Sequence, residues 1–427
     1  MTRTFRMLLT VLAALSLIAV ACGSSVTDVV ESAGEAASDA VDEATDAVDG
    51  DDEAMEDEEE AMEDDEAMED EEAMEDEEAM EDDEAMEDEE AMADDEAMAE
   101  GGAVGLVYDI GGRGDLSFND SAAAGLERAA DAFGVDTVEA SPNEDGSNRA
   151  ELLQLSADDN EIVLAVGFLF AGDAVEAALA NPDVNFAVID DPVLDFDTGE
   201  PLAPNVAGLT FAEEQGSFLV GAAAALTSET DQLGFIGGVC CFGLIEKFEA
   251  GFRAGALAVN PDIEIVAEYI TDAPDFDGFN QPDRANVIAT TMYEDGADVI
   301  YHAAGGAGNG MFAAAQAFTE DNGSKVWGIG VDSDQFNTIG TVDPALQEFV
   351  LTSMLKRVDV AVFEILHDQV NNEFAAGNIV YDLSVDGVGY STTGGFVDDI
   401  VPDLEAFKAE IVAGNIVVPT DPTEVGG

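Results

Sequence analysis

The segment Tyr108-Asp109-Ile110-Gly111-Gly112-Arg113-Gly114-Asp115-Leu116-Ser117-Phe118-Asn119-Asp120 gathers groups suited to holding a small molecule. Asp109 follows a short apolar run, glycines crowd the positions after it, and Phe118 sets an aromatic ring in a polar turn. A carboxylate can accept paired hydrogen bonds from hydroxyls, and a ring offers a stacking face to a flat heterocycle. The same carboxylates could serve an enzyme as a base or as metal ligands. That reading is weakened because no histidine and no dense aspartate cluster accompany the loop. His302 and His367 are the only histidines, far apart and without cysteine at metal spacing, so neither a zinc site nor a cofactor is expected.

Elements able to position such a loop recur along the body. Short apolar runs at 104–108, 161–166, 186–189, 233–236, 264–269, 299–303 and 326–331 read as strands. Between most of them lie helical patterns at 121–133, 172–180, 213–227, 246–259, 284–294 and 310–319. Apolar strands alternating with helices predict an α/β protein with parallel sheets, in which ligands gather at the carboxyl ends of the strands.

Charge restricts the partners. The 427 residues carry 96 acidic and 12 basic side chains, for a formal net charge of −84. Residues 51–100 repeat Glu-Ala-Met-Glu/Asp units with a methionine every six residues from Met62 to Met98. A period of six rotates successive methionines by about 240° on a helix, which spreads them over three faces and leaves no stripe for a partner. Self-repulsion favours an extended, solvated spacer, and without turn glycines its carboxylates hold Ca²⁺ or Mg²⁺ only as an ion cloud. The body from residue 101 onward still has 56 acidic against 10 basic residues, so nucleic acid is excluded as a partner. It also suggests a saline habitat, in which salt screens the repulsion.

The amino terminus supplies an address. Arg3 and Arg6 precede an apolar run to Ala21, and Ala19-Val20-Ala21-Cys22 resembles a bacterial lipobox. The reading is a processed signal at 1–22 with lipidated Cys22, an acidic tether at 23–102 reaching roughly 50 Å as an ideal coil, and an extracytoplasmic body anchored to the membrane.

Several segments then match one family in order. The Asp109 to Asn119 loop resembles the motif of the basic membrane protein lipoproteins, the purine-nucleoside-binding receptors of ABC transporters. So do Ala165-Val166-Gly167-Phe168, Phe186-Ala187-Val188-Ile189-Asp190, Lys247-Phe248-Glu249-Ala250-Gly251-Phe252-Arg253-Ala254-Gly255, Gly296 to Gly306, Gly330-Val331-Asp332-Ser333-Asp334-Gln335 and Ser353-Met354-Leu355-Lys356-Arg357. The resemblance implies a type I periplasmic-binding-protein fold of two doubly wound lobes, expected at 103–207 with 334–385 and at 208–333 with 386–427. It also implies a ligand held between two aromatic rings. Carried across by motif, Phe118 is one ring, with Asp109 and Asn119 at the same mouth. Asp190, Asp332 and Lys356 become ribose and purine ligands. The second ring falls in Asp275 to Pro282, where counting back from Pro282 favours Phe279 over Phe276. In Gly305-Gly306-Ala307-Gly308-Asn309-Gly310, which lacks the Lys-Ser/Thr ending of a P-loop, Gly305 faces a neutral ligand at a helix N-terminus.

The expected function is capture of a nucleoside or related small solute by a monomer that delivers it to a membrane permease, with no bond made or broken. The alternative is a sensory or surface lipoprotein of the same fold binding another small molecule. Arg113-Gly114-Asp115 spells an adhesion tripeptide too short to carry weight beside the loop. Adjacent Cys240 and Cys241 are expected as buried free thiols, since a mutual bond closes a small ring.

Overall fold

The computed structural model describes residues 102–143 and 146–425. The expected signal segment with Cys22 and the acidic tether up to residue 101 lie outside the described residues. Among the described residues, no helix is long and apolar enough to cross a membrane.

Among the described residues, twelve strands run in chain order as β1 (Ala103–Val107), β2 (Asp136–Ala140), β3 (Ile162–Ala165), β4 (Asn185–Ile189), β5 (Val206–Phe211), β6 (Gln232–Cys240), β7 (Glu264–Asp272), β8 (Val299–Ala303), β9 (Trp327–Asp332), β10 (Val350–Lys356), β11 (Gly377–Tyr381) and β12 (Val388–Tyr390). They form two six-stranded sheets of order β11-β5-β4-β3-β1-β2 and β12-β10-β9-β8-β6-β7. Every pairing is parallel except β10 with β12. Central strands such as β3 and β8 are buried at every position, as a parallel sheet covered on both faces requires.

Among the described residues, ten α-helices accompany them, the last following the final strand: α1 (Phe118–Phe133), α2 (Arg149–Asp159), α3 (Ala171–Ala180), α4 (Glu213–Thr227), α5 (Ile245–Val259), α6 (Pro282–Glu294), α7 (Asn309–Asn322), α8 (Gln335–Gly340), α9 (Val358–Val370) and α10 (Val401–Val412). On α1 the buried stripe Ala122, Ala123, Leu126, Ala129 and Phe133 faces the first core, and Gly134 ends the helix in the left-handed conformation at φ 67°. Helix α1 starts three residues before the sequence pattern predicts. The Asp115 carboxylate accepts from the backbone N–H groups of Ser117, Asn119 and Asp120, which caps the first turn from upstream and carries Phe118 onto the helix.

Strand pairing corrects the expected lobe limits. Residues 334–385 are expected in the first lobe, but β10 within that range pairs with β9 and β12 in the second sheet. Likewise β5 pairs with β4 and extends the first sheet to Phe211, past the expected limit at 207. The chain passes between sheets after β5, after β10 and after β11, where the strands end at Phe211, Lys356 and Tyr381. The reason is topological: each sheet takes its last strand from a later part of the chain, β11 parallel in the first and β12 antiparallel in the second.

Helices α4 and α5 pack with their backbones nearly touching. A Cβ on Gly251 would collide with the Glu214 carbonyl, and one on Gly255 with that of Phe218. This approach brings Lys247 of α5 to 3.1 Å from Glu213 at the start of α4. Because backbone cannot yield as a side-chain tip can, Gly255→Ala is expected to lower stability by about 1–3 kcal/mol. Urea unfolding would measure it, and an unchanged midpoint would contradict the close packing.

Candidate ligand site between the two sheets

All eight residues expected at the site, Asp109, Phe118, Asn119, Asp190, Phe279, Gly305, Asp332 and Lys356, line one chamber between the strand ends of the two sheets. Asp109 stands at the end of β1. Its backbone N–H donates to Asn119 Oδ1 at 3.0 Å, and its own Oδ1 accepts from the Ile110 N–H at 2.8 Å. Gly167 must be glycine here, because at φ 102° a Cβ would run into the Asp109 carboxylate. Burial pushes the Asp109 carboxyl up to about 6 against the pull of its backbone hydrogen bond and of Arg149, whose guanidinium lies 3.6 Å away.

Asp190 and Asp332 enter from corresponding strand ends, β4 of the first sheet and β9 of the second. Both adopt left-handed backbone, at φ 73° and 63°, a conformation Asp tolerates better than a branched residue. Lys356, the last residue of β10, reaches between them. Its Nζ lies 2.7 Å from Asp190 and 3.3 Å from Glu213, and all three side chains are almost wholly buried. The same ammonium sits 5.1 Å from the ring centres of Phe118 and Phe211 and 5.6 Å from that of Phe248, a cation–π environment. Burial opposes the charge on Lys356, but Asp190, Glu213 and Asp332 more than offset it and hold the ammonium above its ordinary range. Asp190 is pushed up by burial and by Glu213, with Lys356 opposing. Lys356 donates to Oδ2 of Asp190, leaving the buried Oδ1 close to the ammonium but without an aligned donor.

The Asp115–Ser117 turn of the first lobe is bonded to the second. Ser117 Oγ donates to Asp332 Oδ2 at 2.6 Å, Ser333 Oγ donates to the Ser117 carbonyl at 2.8 Å, and Asn309 Nδ2 donates to the Asp115 carbonyl at 2.9 Å. Gln335 Nε2 and Thr338 Oγ1 both donate to the Leu116 carbonyl. His302 is buried beneath this contact. Its Nε2 is 2.8 Å from Gln335 Oε1, and burial pulls its pKa down to about 4, with Gln335 opposing. Gly305, at φ 52°, starts the short turn before α7.

Phe279 and Phe276 share one 3-10 turn, and only Phe279 lines the chamber. The sequence reading left out Glu213, Asp115, Arg149 and Phe168. Glu213 had the clearest signal, a carboxylate directly after the apolar run of β5. The adhesion tripeptide is not displayed, because Arg113 pairs with Glu139 at 3.0 Å and with Glu127, and Asp115 is buried. Cys240 and Cys241 are joined in a disulfide, contrary to the expected free thiols. At this strand end Cys241 turns to φ 76°, which brings the two side chains together, and it is exposed rather than buried.

Two outcomes follow from these charges. Lys356→Met leaves Asp190 and Glu213 buried without their shared cation, so a loss of about 3–5 kcal/mol is expected in chemical unfolding. A loss below about 1 kcal/mol would show that the carboxylates rest on other partners. Asp332 is pushed up to about 7, chiefly by burial, with Lys356 and Ser117 opposing. Between about pH 4 and pH 7 the folded chain keeps a proton there that the unfolded chain has released, so this group's contribution to stability falls as pH rises through that window. Asp332→Asn, which suits the left-handed backbone, is expected to flatten that fall in unfolding free energies measured across the window. An identical pH profile would contradict the assignment.

Comparison with known proteins agrees with this architecture. The family model for "ABC transporter substrate-binding protein PnrA-like" matches residues 103–422. A "CD4+ T-cell-stimulating antigen" of Listeria innocua is 36% identical over 337 residues, 75% of this chain and 88% of the relative. The "ABC transporter nucleoside-binding protein BmpA" of Lactococcus lactis is 31% identical over 329 residues, 74% of this chain and 88% of the relative. A solved solute-binding protein of an ABC transporter system from Aeropyrum pernix superposes with a TM-score of 0.63 at 27% identity, covering 75% of this chain and 94% of that one. The family is one of solute-binding proteins rather than enzymes, and the chain belongs to this PnrA-like family of ABC transporter substrate-binding proteins.

Proposed function

We propose that the chain is an extracytoplasmic lipoprotein, anchored through Cys22, that captures a purine nucleoside between its lobes and delivers it to a membrane permease. The observation that carries the ligand class is the pairing of aromatic faces with a buried ion network in one chamber. Phe118 comes from the first lobe and Phe279 from the second, beside the Lys356–Asp190 pair. Two rings suit a flat base, and stacking on one ring contributes about 1–3 kcal/mol. Asp190 Oδ1, 2.7 Å from the ammonium but without an aligned donor, suits a ribose hydroxyl, which can donate to the carboxylate while accepting from the ammonium. A neutral ligand also fits the charge, since the chamber already holds more carboxylates than cations.

Thermal unfolding of the protein in molar salt against nucleosides, free bases, sugars and amino acids tests this reading. Ligand at 100 times its dissociation constant adds about 2.7 kcal/mol, and a rise in midpoint confined to purine nucleosides is expected. Phe118→Ala is expected to weaken that binding at least about tenfold while leaving the fold intact. A rise with sugars alone, or full affinity in Phe118→Ala, would contradict the proposal.

A further inference from the structure

Three phenylalanines form a cluster at the edge of the chamber, and only Phe168 among them lines it. Phe168 follows β3 in the first lobe, and its ring lies 4.8 Å from that of Phe242, nearly parallel at 27°. Phe276 stands 5.6 Å from each of the other two, edge-on at 65° and 81°. Phe242 follows β6 and Phe276 follows β7, so both belong to the second lobe. Phe168 lines the chamber, whereas Phe242 and Phe276 do not, and all three rings are half-buried. The cluster therefore sits at the lip, beyond the ends of β6 and β7, whereas the hydrogen bonds that tie Asp115–Ser117 to Asn309 and Thr338 lie beyond β8 and β9.

We propose that Phe168, Phe242 and Phe276 are an inter-lobe latch that sets how long a captured solute stays, as positioning residues rather than ligand contacts. Any opening of the cleft that separates the lips must part Phe168 from Phe242 and Phe276 and wet three aromatic faces. Both second-lobe rings are mounted firmly. The Glu246 carboxylate accepts from the backbone N–H groups of Cys241 and Gly243, on either side of Phe242. The Asp275 side chain caps the 3-10 turn that carries Phe276, accepting from the Asp277 N–H at 3.2 Å. In such a turn side chains three apart lie in a row, so Phe276 at the lip and Phe279 in the chamber move as one piece. Closing the latch thus also presents the stacking ring.

The inference that a solute is retained rests on the proposed ligand, but the contact itself can be tested without one. In the full chain, Phe242→Ala and, separately, Phe276→Ala would be compared with wild type in two measurements. Stopped-flow release of a bound purine nucleoside is expected to be faster by about 2- to 12-fold, the strength of one aromatic pair, and by the same factor for every nucleoside that binds. Amide hydrogen exchange of ligand-free protein is expected to rise across 167–171 on the opposite lobe, which local loosening around residue 242 would not produce. Unchanged release together with unchanged exchange at 167–171 would overturn the latch. Should wild type bind no purine nucleoside, the ligand proposal fails, and the exchange result alone decides the latch: a rise at 167–171 supports it and no rise overturns it.

Discussion

One buried ammonium organises this molecule. Lys356 ends a strand of the second sheet, yet its charge is met 2.7 Å away by Asp190 from the first. Carboxylates as deeply buried as Asp190 and Glu213 are tolerable only with a partner, and the chain supplies little choice, with 10 basic residues in the whole body. Other features serve that meeting. The left-handed turns at Asp190 and Asp332 aim their carboxylates inward, and the glycines of α5 let it approach α4 so that Lys247 shares the load on Glu213. Rings of Phe118, Phe211 and Phe248 around the ammonium replace part of its lost water without adding charge.

This arrangement also shapes what the chamber can accept. Two cations, Lys356 and Lys247, face Asp190, Glu213 and Asp332, so local charge stays negative unless a proton remains, and burial keeps one on Asp332 to unusually high pH. An anionic ligand would meet repulsion there, whereas a neutral molecule with hydroxyl groups and a flat ring meets acceptors, a shared cation and aromatic faces. Closure has a polar side at Asp115–Ser117 and an aromatic side at Phe168, and the two differ in kind. The polar side fixes register through directional hydrogen bonds, and the aromatic side adds apolar area without specifying direction.

Much of the fold was legible because buried parallel strands must be apolar throughout: β3 and β8 read directly from Ile162–Ala165 and Val299–Ala303. Strand β2 escaped notice because it is a sheet edge, Asp-Thr-Val-Glu-Ala, exposed along most of its length. Helix α2 buries only Leu153 and Ala157, too few for a periodic stripe. The buried strands β5 and β10 were not read from the sequence either, and the sheet that β10 joins is set by pairing, which an apolar run does not disclose. Among site residues, the family motifs led to Asp109, Phe118, Asn119, Asp190, Phe279, Gly305, Asp332 and Lys356, which the fold gathers in one chamber. Glu213 was missed because an acidic residue at a helix start is ordinarily a solvated complement to the helix dipole, whereas here it is buried against a lysine. The Cys240–Cys241 bond depends on a backbone turn at Cys241 that composition does not disclose.

The most direct measurement is a crystal structure of the protein grown with a saturating purine nucleoside. The account predicts density for the base between Phe118 and Phe279, with ribose hydroxyls on Asp190 and Lys356. A nucleoside bound elsewhere, or a chamber that stays closed around the same side chains with no nucleoside in it, would contradict the central claim.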